Sequence, residues 1–217
     1  MIEAVVFDLF GVLSANQPAA IKAELAGALQ AEPVPFWRQY WRFRPAYDVA
    51  ELSDAAYWTA VATALGKPLD DRLLARLCRL DDASWSGENP AAIEFARELA
   101  GTGLPLGLLS NIPARLAEHL FAKHRWLKLF DVIGLSCRLG AGKPDPAPFR
   151  WLVRQFGTAP DRLLYIDDRA ENVAAAASLG LATVRFETTA ELRDHWRRLH
   201  SSSTRTQTET TLPQRTQ

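Results

Sequence analysis

Val5-Val6-Phe7-Asp8-Leu9-Phe10-Gly11-Val12 stands almost at the start of the chain: three apolar residues, an aspartate, then a glycine three residues on. An apolar run bounded in this way reads as a strand buried on both faces. A carboxylate at the C-terminal end of such a strand lies where open α/β sheets bind their ligands. Aspartate is also an ordinary turn residue, so the rest of the chain has to decide between the two readings.

Further apolar runs occur at residues 104–109, 132–135, 163–166 and 182–186, separated by helical spacing at 91–100, 113–123, 146–156, 172–179 and 190–199. This alternation predicts an α/β fold, a parallel sheet flanked by helices with right-handed crossovers. From Pro18 to Trp85 the alternation lapses, and four helices are expected at 18–29, 34–43, 53–65 and 69–80, with Ser53 as a cap. They predict a helical insertion over residues 16–85, between core segments 1–15 and 86–200. Its aromatics (Trp37, Tyr40, Trp41, Phe43, Tyr57 and Trp58) suit a bundle core, and some are free to line a pocket against the sheet. Arg38, Arg42 and Arg44 read either as solvated or paired helix charges or as ligands for a second anionic group. Residues 201–217, rich in Ser, Thr, Gln and Arg, are expected to form a disordered tail.

Composition narrows the partners. Lys and Arg number 25, as do Asp and Glu, so the 217-residue chain carries no net charge. Nothing points to nucleic acid or an anionic membrane. No apolar run approaches a membrane span, and the start lacks the pattern of a signal peptide, so a cytoplasmic location is expected. Cys78 and Cys137 are the only cysteines and lack metal-knuckle spacing. Monomer and homodimer both remain open.

Polar residues recur at four predicted strand ends or helix starts. Asp8 ends the first strand. Ser110 and Asn111 follow the second. Lys143 precedes the helix that Pro146 can start, and Asp167 and Asp168 follow the fourth strand. Each has an ordinary use, Ser110 and Asn111 as caps, Lys143 as a loop lysine, Asp168 with Glu171 as a cap pair. Those uses give no reason for polar groups at four matching strand ends, whereas a parallel sheet brings all such ends to one edge.

Three carboxylates in one crevice repel each other and call for a cation, and one lysine is too few. Mg²⁺ takes oxygen ligands and shares its site with phosphate oxygens. That pairing points to phosphoryl chemistry in which Asp8 attacks phosphorus and forms an aspartyl-phosphate. Mg²⁺ and Lys143 would neutralise the phosphoryl oxygens, and the Ser110 hydroxyl with amides near Asn111 would hold one of them.

FDLFGVL at 7–13, LLSN at 108–111, GKPDPAPF at 142–149 and YIDDRAENV at 165–173 together resemble the motifs of the haloacid dehalogenase-like hydrolases, in their order and spacing, over about residues 1–195. The resemblance implies a Rossmann-like core with a helical cap placed after the first motif. It implies Asp8 as nucleophile and Mg²⁺ ligand, the Phe10 backbone carbonyl and Asp168 as further ligands, and Asp167 acting directly or through water. Ser110, Asn111 and Lys143 would hold the phosphoryl group. Asn172 lies where relatives often carry a second acid.

Phosphatases of that family usually carry a second aspartate two residues after the nucleophile, as acid and base. Here that residue is Phe10, and acid–base help of this kind is worth roughly 100- to 10,000-fold. The expected activity is therefore a Mg²⁺-dependent phosphatase of a small phosphorylated metabolite, slow or selective for its leaving group. The alternative is a metal-free 2-haloacid dehalogenase, which Phe10 suits and the Asp167-Asp168 pair does not. A catalytically impaired binding protein is the non-enzymatic alternative. Asp167-Asp168 with Asn172, and the turn at 47–53, resemble the sugar-1-phosphatase-like branch, which implies a sugar phosphate as substrate.

Overall fold

The structure, a computed structural model, describes residues 1–205. Strand β1 (Ala4–Phe7) is followed by helices α1 (Ala19–Ala28), α2 (Pro33–Asp48), α3 (Asp54–Ala64) and α4 (Asp71–Ser84). Then come α5 (Pro90–Gly101), β2 (Leu106–Ser110), α6 (Ala114–Lys123), β3 (Val132–Leu135), the short α7 (Ser136–Leu139) and α8 (Pro146–Phe156). The order ends with β4 (Leu163–Asp167), α9 (Ala170–Ser178), β5 (Ala182–Arg185) and α10 (Thr189–Arg205). All five strands are parallel, in the order β3-β2-β1-β4-β5.

Alternate strand residues feed two apolar layers, as the two-residue period of a strand requires. Val5, Phe7, Leu164 and Ile166 join one cluster with α5 and α6, while Ala4, Val6, Leu163 and Tyr165 join another with α8. Burial on both faces is why these strands read as unbroken apolar runs. Chain order reverses across β1: β1 leads to β2 on one side, and β4 leads to β5 on the other. A crevice opens at such a switch point, beyond the C-terminal strand ends.

Helices α1 to α4 enclose a third cluster that includes Leu25, Phe36, Tyr40, Tyr57, Trp58 and Leu77. Ser53 caps α3, accepting from the Ala56 N–H at 3.2 Å, and Asp70 caps α4, accepting from Leu73 at 2.7 Å. Helix α2 passes the expected end at Phe43 and runs through Pro45 to Asp48. The Arg44-Pro45 pair signals a stop, because a proline disfavours helix in the residue before it. Buried Arg44 and Tyr47 hold the last turn in place instead. Helix α10 continues to Arg205, five residues into the stretch expected to be disordered, since a nucleated helix extends easily. Residues 206–217 of that stretch lie outside the described residues.

Candidate active site

Strand register alone brings the polar ends together. Phe7 pairs with Ile166, which sets Asp8 beside Asp167, and the Asp8 N–H donates to the Ile166 carbonyl at 2.8 Å. On the other flank Phe7 pairs with Leu108, so Ser110 emerges from β2 at the same edge. Lys143 reaches in from the loop before α8. Its Nζ lies 2.8 Å from Asp8 Oδ1 and 2.8 Å from Asp167 Oδ2, and donates to the Leu109 carbonyl at 2.8 Å. Asp8, Ser110, Lys143 and Asp167 are all buried.

The three carboxylates differ in how they are satisfied. Asp167 accepts from Lys143, from the Tyr165 hydroxyl, from the Arg169 N–H at 2.8 Å and from Asn172 Nδ2 at 3.0 Å. Burial alone would raise its pKa, but the Lys143 charge and these bonds outweigh burial and hold it below the ordinary value. Asp8 takes both its bonds, from Lys143 and from the Leu9 N–H at 2.6 Å, on Oδ1. Burial pushes its carboxyl up to about 8, against the pull of Lys143 and with the help of Asp167. Burial also raises Asp168, with Asp167's charge adding to the effect. Burial would lower Lys143, yet the charges of Asp8 and Asp167 raise it.

Two side-chain atoms at this edge are buried with no partner, Asp168 Oδ1 and Ser110 Oγ. An unpaired buried polar group is expensive, and its persistence at a strand end marks a place for a ligand. Asp8, Asp167 and Asp168 each offer an oxygen, all within 4.8 Å of one another. One ammonium among three carboxylates leaves an excess of negative charge, and all the donors are hard oxygens. These residues fit a hard divalent cation. Asp168 can approach because residue 11 is glycine: a Cβ there would lie 2.3 Å from Asp168 Oδ2, and the backbone has φ +83°.

The ordinary uses of these residues are not what the structure contains. Helix α6 has Pro113 at its N-cap and no side-chain cap, so neither Ser110 nor Asn111 serves there. Helix α9 has Arg169 at its N-cap, also without a side-chain cap, so Asp168 is no cap. Asn111 instead clasps the lysine loop: its Oδ1 accepts from the Lys143 N–H at 2.8 Å, and its Nδ2 donates to the Lys143 carbonyl at 2.7 Å. Its side chain thus positions Lys143 while still lining the cavity.

That cavity, about 300 Å³, lies between the sheet edge and the helical insertion and is lined by Asp8, Phe10, Asn111, Lys143, Asp168 and Asn172 from the sheet side. The insertion side and its flanks add Asp48, from the turn at 47–53, and residues not singled out from the sequence, among them Asn16, Gln17, Lys22 and Trp85. Of the insertion's aromatics, Tyr40, Tyr57 and Trp58 are packed in its core, and Trp41 lines the cavity. Arg38 and Arg42 are exposed. Arg44 is buried and paired, with Nε 2.6 Å from Asp48 Oδ1 and NH1 3.2 Å from Asp81 Oδ2. Burial would lower its pKa, but the charges of Asp48, Tyr40 and Asp81 raise it. Ser136 ties the insertion to the sheet, accepting from the Ile112 N–H at 2.8 Å and donating to the Asp48 carbonyl at 2.5 Å. No helix among the described residues is long and apolar enough to cross a membrane.

Comparison with known proteins gives a consistent family. Sesquiterpene phosphatase astK of Aspergillus oryzae is 35% identical over 85 residues, which is 39% of this chain and 43% of that protein, so the chain spans less than half of that relative's length. A phosphoglycolate phosphatase of Rhodospirillum rubrum is 29% identical over 192 residues, 85% of this chain and 79% of that protein. A HAD family enzyme of Bacteroides thetaiotaomicron, solved with magnesium and inorganic phosphate, shares the fold with a TM-score of 0.70 at 18% identity, over 86% of this chain and 95% of that one. The family model described as haloacid dehalogenase-like hydrolase matches residues 2–180. With the motifs at the sheet edge and this match over most of its length, the chain belongs to the haloacid dehalogenase-like hydrolases.

Proposed function

We propose that this hydrolase is a Mg²⁺-dependent phosphatase of a small phosphorylated metabolite. The observation that carries the reading is the convergence of Asp8, Asp167, Asp168 and Lys143 at one sheet edge, beside two buried polar atoms without partners. The names of its relatives support it, since the sesquiterpene and phosphoglycolate enzymes are phosphatases. Asp8, Asp168 and the Phe10 carbonyl would hold the ion, with Asp167 acting directly or through water. When bound, Mg²⁺ supplies positive charge to the phosphoryl oxygens. The magnesium and phosphate bound by the Bacteroides enzyme support this choice of ion.

In the first half-reaction Asp8 Oδ2, which takes no hydrogen bond from the described residues, attacks phosphorus. The phosphorus–oxygen ester bond breaks and its electron pair leaves with the substrate oxygen. Lys143 offsets charge on the phosphoryl group. The Ser110 hydroxyl, unpartnered at the same edge, donates to a phosphoryl oxygen, and Asn111 keeps the Lys143 loop in register. In the second half-reaction water attacks phosphorus of the aspartyl-phosphate, releasing phosphate and restoring Asp8. The helical insertion serves as a cap, excluding bulk water while closed.

Phe10 leaves the departing oxygen without an acid, so the enzyme is slow on poor leaving groups. Phe10 also favours one other reading, metal-free dehalogenation through an ester on Asp8, because halide departs without a proton. The fold does not separate the two, since a solved L-2-haloacid dehalogenase shares it. Two adjacent aspartates in a metal-free buried site weigh against dehalogenation. Turnover of p-nitrophenyl phosphate with and without EDTA tests the proposal. Activity lost in EDTA and restored by Mg²⁺ supports it. Chloride released from 2-chloropropionate in EDTA establishes the other reading.

A further inference from the structure

Phe10 lines the cavity two residues after Asp8, and its ring is the first of a series. The Phe10 and Trp85 ring centroids are 4.7 Å apart, and Trp85 and Trp41 are 6.2 Å apart. All three rings line the cavity that holds Asp8 and Lys143. Trp41 is 46% exposed, and Met1 and Val34 are the only other exposed large hydrophobics among the described residues. A tryptophan left half open at a ligand cavity is apolar surface that nothing among the described residues covers. Arg44, a buried cation 5.7 Å from the Trp85 ring, offers no compensating anion site, because its guanidinium is held by Asp48 and Asp81.

Resting on the phosphatase reading above, we infer that the substrate is the monophosphate of a phenol or a comparably acidic planar hydroxyl, its ring packed on the Phe10–Trp85–Trp41 wall. Phosphorus–oxygen cleavage forms the bond from Asp8 to phosphorus and sends the ester's electron pair out on oxygen. A phenol has a pKa of about 10, so its oxide departs without a proton. An aliphatic alkoxide is far more basic, comparable to hydroxide, and needs the acid that Phe10 cannot supply. The proton released when water cleaves the aspartyl-phosphate then balances the phenoxide. One residue thus removes help for alkyl esters and adds contact for aryl esters. A cavity of about 300 Å³ is at the small end for ligand sites and suits a phosphoryl group with one or two rings.

The test compares four substrates on the full chain with Mg²⁺: acetyl, phenyl, 1-naphthyl and cyclohexyl phosphate. Acetyl phosphate needs neither acid nor wall and reports on the phosphatase reading alone. The expected kcat/KM for the two aryl esters exceeds that of the cyclohexyl ester by about 100-fold or more. Trp41→Ala raises KM for 1-naphthyl phosphate by about 3- to 10-fold with kcat retained, and Trp41→Phe recovers most of the loss. Cyclohexyl phosphate turned over as well as phenyl phosphate, or a naphthyl KM unmoved in Trp41→Ala, overturns the inference while acetyl phosphate turnover leaves the phosphatase standing. Failure on all four substrates overturns both.

Discussion

Arg44 in the helical insertion and Lys143 at the sheet edge are each a buried cation held between two aspartates, and they differ in what completes them. Around Arg44, Asp81 Oδ1 also accepts from the Tyr40 hydroxyl at 2.6 Å, the Trp85 indole N–H donates to that hydroxyl at 3.0 Å, and Arg44 itself donates to it. No side-chain nitrogen or oxygen of that group is among the buried atoms without partners. Around Lys143 a third carboxylate crowds in, and Asp168 Oδ1 and Ser110 Oγ have no partner. The first cluster is finished by the protein alone. The second is left short of positive charge and of hydrogen bonds, which is the signature of a site completed by ligands.

Four measurements can break or sharpen this contrast. The largest expected effect is on chemistry: Asp8→Asn lowers turnover by roughly 10,000-fold or more with the circular dichroism spectrum unchanged. Residual full activity would remove the sheet edge from the reaction. Next is stability. Arg44→Met leaves Asp48 and Asp81 unpaired and costs about 3–5 kcal/mol by denaturant unfolding, as broken buried ion pairs do. Asp168→Asn, measured without metal, stays within about 0.5 kcal/mol of the parent. Equal losses in the two variants would show that both clusters are structural.

A smaller effect comes from the ion. Mg²⁺ at a hundredfold excess over its Kd stabilises by about 2.7 kcal/mol, a rise in Tm of about 5–10 °C for a chain this size. Asp168→Asn abolishes that rise and Arg44→Met keeps it. The gentlest change per step is a pH trend in EDTA. The Asp8 carboxyl sits at about 8 in the folded protein against an ordinary 3.8, so the folded state binds the extra proton between those values. The stability it contributes is full below about pH 4 and lost as pH rises through about 8. Relative to Asp8→Asn, the parent therefore weakens across that window, with a slope no steeper than about 1.4 kcal/mol per pH unit. A flat difference would mean that Asp8 ionises freely and that the edge lacks no cation.

The contrast also explains what could be read from the sequence. Strand ends are legible because burial on both faces makes an apolar run, and the first polar residue after it marks the edge. Asp8, Ser110 and the Asp167-Asp168 pair follow from that rule, and parallel pairing does the rest. The Arg44 cluster has no such rule. Arg44 and Asp81 lie on different helices, 37 residues apart, and a charge on an amphipathic helix looks the same in sequence whether solvated or paired across a bundle. The clasp of Asn111 on the Lys143 backbone is equally hidden, because loop hydrogen bonds leave no period. Trp41 falls between these cases: its exposure depends on how far the insertion stands from the sheet, which no local pattern encodes.

Gly11 binds the future of two positions together. The carboxylate of Asp168 fills the space that a Cβ on residue 11 would enter, so a library that randomises residue 11 alone should return glycine almost without exception. A side chain there becomes admissible only where residue 168 has been shortened, and the left-handed backbone narrows even that route. Anyone re-engineering the chain to accept alkyl esters, beginning at the neighbouring Phe10, inherits a fixed point one residue away.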